Sequence, residues 1–188
     1  VHWAGVKSAY AAKFAAAKNE DVFWETLDNM VGELGDSHTR IESPARVRDR
    51  NAFGGLSYGV TLANIEGAVV VLGVHNDSDA WFSGVRVGAI VERIGDKPAA
   101  QALAEAIATT RKHSTVRIQE RQAFRKLLEA KEKSSLRLVV SREDGSRIDA
   151  TLKPRTIRST PSMAARTLPS GFGYLRFSGF SEGLRDGV

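Results

Sequence analysis

The chain has 188 residues, enough for one ordinary domain or two small ones, and its composition of 42% hydrophobic and 26% charged residues is typical of a globular protein. Cysteine is absent, which excludes disulfides, thiolate catalysis and Cys-ligated zinc. No apolar run approaches the roughly 18 to 20 residues that a membrane span needs, and the N-terminus lacks a signal-peptide pattern.

The net charge of +5 comes from one segment. Residues 111–133 contain eight Lys or Arg residues against three Glu residues, which accounts for the whole excess. Phe124, Leu127 and Leu128 recur among these charges at helical spacing, a pattern that predicts an amphipathic helix with a solvated basic face. Because the segment has no aromatic platform and no nucleic-acid motif, we predict no nucleic-acid partner. The alternative function for this segment is binding to nucleic acid or to an acidic membrane surface.

Two amphipathic helices are predicted near the N-terminus. The first, over residues 3–18, places apolar side chains on one face, and the second spans 21–34, between the Asn19-Glu20-Asp21 start signal and Gly35. A charged, irregular linker is predicted over 44–51. From Phe53 the pattern changes to that of strands, with helices between some of them.

The predicted elements of this second part are listed in chain order. Strands are expected at 56–62, 68–75, 89–94, 136–142, 147–153 and 173–180. Helices are expected at 78–83, from Pro98 onwards, and in the basic segment. Glu143-Asp144-Gly145-Ser146 predicts a hairpin turn, since Gly supplies a positive φ. Residues 155–170, with two Pro and many Ser and Thr, are predicted to be a connecting segment.

Glu33-Leu34-Gly35-Asp36-Ser37-His38-Thr39 follows the second helix and is the most informative stretch for function. It places Ser37 and His38 side by side on a loop, where reactive side chains are held at the end of a rigid element. The plain alternative for His38 is a loop histidine hydrogen-bonded to the backbone. The other three histidines are isolated from each other, so we predict no metal site and no cofactor.

The segment that follows resembles a PDZ domain in the permuted form found in processing proteases. The resemblance is carried by Ser57-Tyr58-Gly59-Val60, the x-Φ-Gly-Φ loop, and by residues 76–91. It implies that an extended peptide C-terminus is bound as an added strand, with Ser57, Tyr58, Gly59 and Val60 as the peptide-binding residues. The chain departs from the usual pattern at Ser78-Asp79-Ala80, Gly88-Ala89 and Gly95-Asp96. It also carries about twenty inserted residues, with a net positive charge, after the Ala-rich helix expected to flank the peptide.

Residues 3–44 resemble the N-terminal region of the tricorn-core and C-terminal processing peptidase family, and 171–180 resemble the first strand of its peptidase domain. The resemblance implies an α+β fold made of three parts. These are an N-terminal helical region (1–45), a PDZ-like β-sandwich or barrel with helices (52–155), and a linker with the first strand of a truncated peptidase core (156–188). The implied partners are polypeptide C-termini or unfolded protein substrates.

The family resemblance implies roles for Ser37 and His38. In the tricorn-like branch His38 would be the general base and Ser37 its orienting partner, whereas in the processing-protease branch a Ser-Lys dyad acts and the histidine is structural. No Gly-x-Ser-x-Gly occurs, and Ser178 and Ser181 lie too early in the family pattern to be the nucleophile. We therefore expect the parent protein to be a serine peptidase and this chain to be inactive alone.

The alternative from another class is a non-catalytic PDZ-type adaptor in which Ser37-His38 is incidental. The substrate, the oligomeric state and the compartment are not encoded in recognisable form. The family resemblance favours a periplasmic or other extracytoplasmic location, and an oligomer is compatible with the sequence.

Overall fold

The computed structural model of the chain describes residues 1–45, 47–48, 55–157 and 163–177. The chain divides into two compact units, Val1–Ile157 and Arg158–Val188. The predicted irregular linker 44–51 is described only at residues 44–45 and 47–48, which are helical. The residues after Phe177, including Ser178 and Ser181, lie outside the described residues.

Both predicted N-terminal helices form, as α1 (Trp3–Ala15) and α2 (Glu20–Gly32). Each is preceded by a capping residue whose side chain accepts a hydrogen bond from the first turn: His2 from the Gly5 amide and Asn19 from the Val22 amide. The helices pack through Phe14 and Phe23, whose ring centroids lie 5.4 Å apart.

The larger unit is built on a six-stranded antiparallel sheet. Its strand order is β2-β3-β4-β6-β7, with β5 paired to β4, so that β2 and β7 are the terminal strands of this order. The bounds are β2 (Val60–Ile65), β3 (Ala68–Val74), β4 (Ile90–Ile94), β5 (Lys97–Pro98), β6 (Leu136–Ser141) and β7 (Arg147–Leu152). A separate short pair joins β1 (Leu56–Ser57) to β8 (Arg155–Thr156).

Two of the predicted strand features have informative outcomes. The strand expected over 56–62 is divided into β1 and β2, because Gly59 adopts φ +76° and turns the chain between them. The predicted hairpin at 143–146 is confirmed: Gly145 has φ +79°, and the Arg142 amide donates to the Ser146 carbonyl at 2.9 Å.

Three helices cover the sheet: α3 (Asp79–Phe82), α4 (Ala99–Ala108) and α5 (Val116–Leu127). The helix α4 packs on β3, β4 and β5, whereas α5 packs on α4 and on the edge strand β2. Their inner faces and the sheet enclose one hydrophobic core, whose larger members are Tyr58, Val60, Leu62, Val69, Val71, Val85, Val91, Ile94, Leu103, Phe124, Leu138, Val140 and Leu152.

The second unit contains an antiparallel hairpin of β9 (Met163–Thr167) and β10 (Gly173–Phe177). The prediction that 155–170 is only a connecting segment is therefore wrong, since it contains both β8 and β9. The strand β9 reads Met-Ala-Ala-Arg-Thr, a composition with little β propensity, and its pairing with β10 decides its conformation. The strand β10 has a partner along its whole length, yet Leu175 remains 57% exposed.

The described chain is thus a mixed helix and sheet protein. None of its described helices combines the length and the apolar composition that a transmembrane helix requires.

Candidate functional site

The loop that follows α2 is organised by the carboxylate of Asp36. Gly35 has φ +66° and ends the helical backbone. Asp36 then caps the turn that follows. One Asp36 oxygen accepts from the His38 amide at 3.0 Å, and the other accepts from the Thr39 amide at 3.0 Å and from the Thr39 hydroxyl at 2.5 Å. Asp36 therefore holds both residues that follow Ser37 in a fixed turn.

Asp36 also contacts the imidazole of His38, with 3.2 Å between Oδ1 and Nδ1. The Thr39 hydroxyl, and next the His38 amide, hold the pKa of Asp36 well below its usual range, so the carboxylate is charged at neutral pH. A carboxylate at Nδ1 favours the tautomer that carries its proton there and leaves Nε2 as the acceptor. Because the His38 side chain is 98% exposed, Nε2 is accessible from solvent.

The hydroxyl of Ser37 makes its hydrogen bonds to a different part of the chain. Its oxygen lies 2.8 Å from the Ser114 hydroxyl oxygen and accepts from the Ser114 amide at 3.1 Å. Ser114 belongs to the loop 109–115 between α4 and α5. In this structure the Asp36 side chain contacts the His38 ring. Ser37 instead links its loop to the loop 109–115.

Charged side chains of the loop 109–115 also contact residues in or next to α2. Lys112 donates to Glu33 at 2.6 Å, and Tyr10 donates to the other Glu33 oxygen at 3.0 Å. The hydrogen bond from Lys112 is the largest cause that lowers the pKa of Glu33. Arg111, whose side chain is only 7% exposed, lies 3.7 Å from Asp28. These contacts position the Ser37-His38 loop against the loop 109–115.

The predicted peptide-binding residues form the turn between β1 and β2. The Gly59 amide donates to the Ser57 hydroxyl at 3.0 Å, and the Gly59 carbonyl accepts from the His75 amide at 2.8 Å. A Cβ at position 59 would stand 2.1 Å from the Cβ of Ser78, so the close approach of α3 requires glycine there. Tyr58 and Val60 are buried in the core, and Val60 pairs with Val74.

The edge strand β2 runs beside α5. Near the end of β2, the Asn64 side-chain amide donates to Glu120 at 2.7 Å, and near its start the Tyr58 hydroxyl lies 2.7 Å from the Ser134 hydroxyl. The prediction that the Ala-rich helix after Pro98 flanks this strand is wrong, since α4 packs on β3, β4 and β5 instead. The supposed insertion supplies the helix beside β2.

The predicted site residues thus occupy two places in the larger unit. Ser37 and His38 lie on the loop joined to Ser114, and Ser57 to Val60 lie at the start of the edge strand. The role of Asp36 was missed, although an Asx residue two positions before His38 was a local signal for a carboxylate-capped turn. Within the described residues no group of three or more His, Cys, Asp or Glu side chains is arranged to hold a metal ion.

Comparison with solved structures shows the fold. Mature CPAF complexed with lactacystin matches with a TM-score of 0.55 and 15% identity, over 92% of this chain and 41% of that chain. A CPAF mutant matches with a TM-score of 0.56 and 19% identity, over 82% of this chain and 28% of that chain. The photosystem II D1 C-terminal processing protease gives a TM-score of 0.49 and 18% identity, over 97% of this chain and 48% of that chain.

No protein-family model matches the sequence, and no curated protein matches it. The chain spans less than half the length of each of these solved structures. The likeness to CPAF shows that this chain shares a mixed helix and sheet fold with part of CPAF.

Proposed function

We propose that the chain is the peptide-recognition part of a serine endopeptidase of the tricorn-core or C-terminal processing type. In this proposal residues 52–155 are a PDZ-like domain that captures polypeptide C-termini, and residues 1–45 carry the loop of His38. Residues 156–188 begin the peptidase domain, and the nucleophile comes from a further part of a longer protein. The order of these segments and the fold likeness to CPAF support the proposal.

The observation that carries the peptide-binding proposal is the position of β2. It is the terminal strand of its sheet, it starts at the Gly59 turn, and α5 runs along it. An extended peptide can add to such an edge through main-chain hydrogen bonds, while a helix beside the strand lines a groove for its side chains. The free C-terminus would then lie at the Ser57–Val60 turn.

The Gly59 amide is the donor best placed to receive a terminal carboxylate. The Ser57 hydroxyl now occupies it at 3.0 Å, which is the position that a carboxylate oxygen would take. Peptide binding would exchange this hydrogen bond for a charge-assisted one, after a rotation of the Ser57 side chain. Because a hydrogen bond is lost for the one gained, we expect weak affinity.

The proposed catalytic contribution is that His38 acts as general base. Asp36 would hold the imidazole by its Nδ1 atom and leave Nε2 to receive a proton. Ser37 would position the loop through Ser114. In the Ser-Lys branch of the family, these same contacts would have a structural role only.

Binding of peptides with apolar C-terminal residues, each as free acid and as amide, tests peptide capture. Fluorescence polarisation should detect the free acids and not the amides. Backbone NMR shifts should change at residues 57–65 of β1, the turn and β2. Equal binding of acid and amide, or shifts confined to other strands, would contradict carboxylate capture at this turn.

The second candidate is a non-catalytic PDZ-type adaptor. The almost complete exposure of the His38 side chain favours it, since none of the described residues encloses the imidazole. Both candidates predict peptide capture. They differ in turnover, which only the full-length protein can show. Peptide hydrolysis that responds to substitution of His38 supports the peptidase, and binding without hydrolysis supports the adaptor.

A further inference from the structure

We propose that the groove between β2 and α5 selects peptides that carry acidic side chains upstream of the C-terminus. The inference rests on the proposed peptide capture and adds the chemical class of the ligand. It depends on the direction of α5, on the position of its arginines around the helix, and on their lack of partners.

The helix α5 runs antiparallel to β2. Glu120, in its first half, bonds to Asn64 near the end of the strand, whereas Ser134, shortly after the helix, contacts Tyr58 just before the strand begins. An added peptide with its C-terminus at the Gly59 turn would pair antiparallel with β2. Its upstream residues would therefore extend toward Asn64 and the first half of α5.

Three exposed arginines form one stripe on α5, because Arg117, Arg121 and Arg125 are spaced by four residues. The contacts that α5 makes with α4 and β2 show which side of the helix carries this stripe. Lys126 donates to the carbonyl of Thr109 at the end of α4, while Glu120 contacts β2.

At 3.6 residues per turn, successive side chains rotate by about 100° around the axis. Going round from Lys126 through Glu120, the buried Phe124 comes next, and Arg117 and Arg121 follow beyond it. The arginine stripe therefore continues past the β2 side of the helix, away from α4. This is the side on which a strand added to β2 would lie.

These arginines are not neutralised by the described part of the chain. None of the three makes an ion pair within the described residues, and Glu120, the acidic residue of α5, is engaged by Asn64. Unpaired like charges along one side of a groove attract a ligand of opposite sign. An acidic peptide segment supplies that charge and can also pair with the strand.

The spacing indicates which peptide positions are involved. Asn64 lies four residues after Val60, about 13 Å along an extended strand at about 3.3 Å per residue. Arg121 follows Glu120, and Arg117 lies about one helical turn farther from the Gly59 turn. Acidic residues roughly three to six positions before the C-terminal residue should face the two arginines.

The decisive experiment compares two labelled free-acid peptides with the same apolar C-terminal residues. One carries Asp and Glu at the third to sixth upstream positions, and the other carries Asn and Gln there. At about 50 mM salt we expect the acidic peptide to bind about 5- to 10-fold more tightly, because the charges are solvent-exposed and weakly screened. The difference should shrink below about 2-fold at 0.5 M salt.

The double variant Arg117→Gln/Arg121→Gln should remove the preference and leave binding of the neutral peptide unchanged. Lys7→Gln/Lys18→Gln, which also removes two positive charges from exposed side chains, is the matched control and should retain the preference. Thermal unfolding of each variant checks that the fold persists.

Equal affinity for the two free acids would overturn the acidic preference and leave peptide capture intact. Failure of both peptides to bind would overturn both proposals. A single-stranded oligonucleotide that binds more tightly than the acidic peptide, and loses affinity in the Arg117→Gln/Arg121→Gln variant, would assign the stripe to nucleic acid instead and overturn the inference.

Discussion

The hydroxyl oxygens of Ser37 and Ser114 lie 2.8 Å apart, although the two residues are 77 positions apart in the chain. The contact joins the loop after α2 to the loop between α4 and α5, and the Lys112–Glu33 and Arg111–Asp28 pairs add ion pairs between the second loop and the end of the α2 region. The candidate catalytic loop is thereby held against the segment that connects α4 and α5.

Removal of this hydroxyl pair should loosen both loops. Ser37→Ala and Ser114→Ala should each cost about 0.5 kcal/mol of stability, the low end for an exposed hydrogen bond, and the double variant should cost less than the sum. Amide hydrogen exchange should accelerate at residues 36–39 and 112–115 and remain unchanged in β3 and β6. Additive effects of the two substitutions would show that the contact has no energetic role.

Gly59→Ala should destabilise the larger unit severely. The new Cβ would stand 2.1 Å from the Ser78 Cβ, and the residue would also have to adopt φ +76°. We expect a loss of about 2 kcal/mol or more in urea unfolding. Gly67→Ala is the control, since Gly67 has φ +86° with no atom within 4 Å, and should lose only about 1–2 kcal/mol. Equal losses in the two variants would show that the approach of Ser78 is unimportant.

His38 should matter for turnover only in a full-length protein that contains a nucleophile. There His38→Ala should lower kcat about 10²- to 10⁴-fold with little change in KM, the usual range for loss of a general base. Asp36→Asn should cause a smaller loss, because it removes the group that orients the imidazole. The 188-residue chain should show no peptidase activity above background. Near-normal kcat in His38→Ala, with loss of activity on substitution of a downstream Lys, would identify the Ser-Lys branch.

The stability of the larger unit should fall as the pH decreases from about 7 to 5. Burial, and next the charge of Arg111, lower the pKa of His113 below its ordinary value, and its Nδ1 atom is buried without a hydrogen-bond partner in the described chain. Between the lowered folded pKa and the unfolded value near 6.5, the unfolded state binds more protons, so stability rises with pH in this interval.

Urea unfolding at pH 5, 6 and 7 measures this dependence. The His113→Gln variant should show a shallower fall than the parent chain, because the titrating group is absent. The same slope in both proteins would show that His113 does not contribute to the pH dependence.

The sequence predicted those elements whose signals are local. The Asn19 cap and the apolar spacing of 21–34 predicted α2, and Gly145 predicted the turn that joins β6 to β7. These predictions succeed because a cap, a helical face or a positive φ depends on residues a few positions apart. The strand β9 has no comparable local signal, and it was missed.

The sequence by itself also identified the candidate site residues, Ser37 and His38 on one loop and Ser57 to Val60 at the Gly59 turn, and it predicted a basic helix. Only the tertiary structure decided how they are used. It placed Asp36, rather than Ser37, against the His38 ring, joined Ser37 to Ser114, and set the basic helix α5 beside β2 in place of α4. The last two arrangements depend on packing between segments tens of residues apart, and the first on how the loop folds over the Asp36 carboxylate. Packing between distant segments is not encoded by the spacing of residues along the chain.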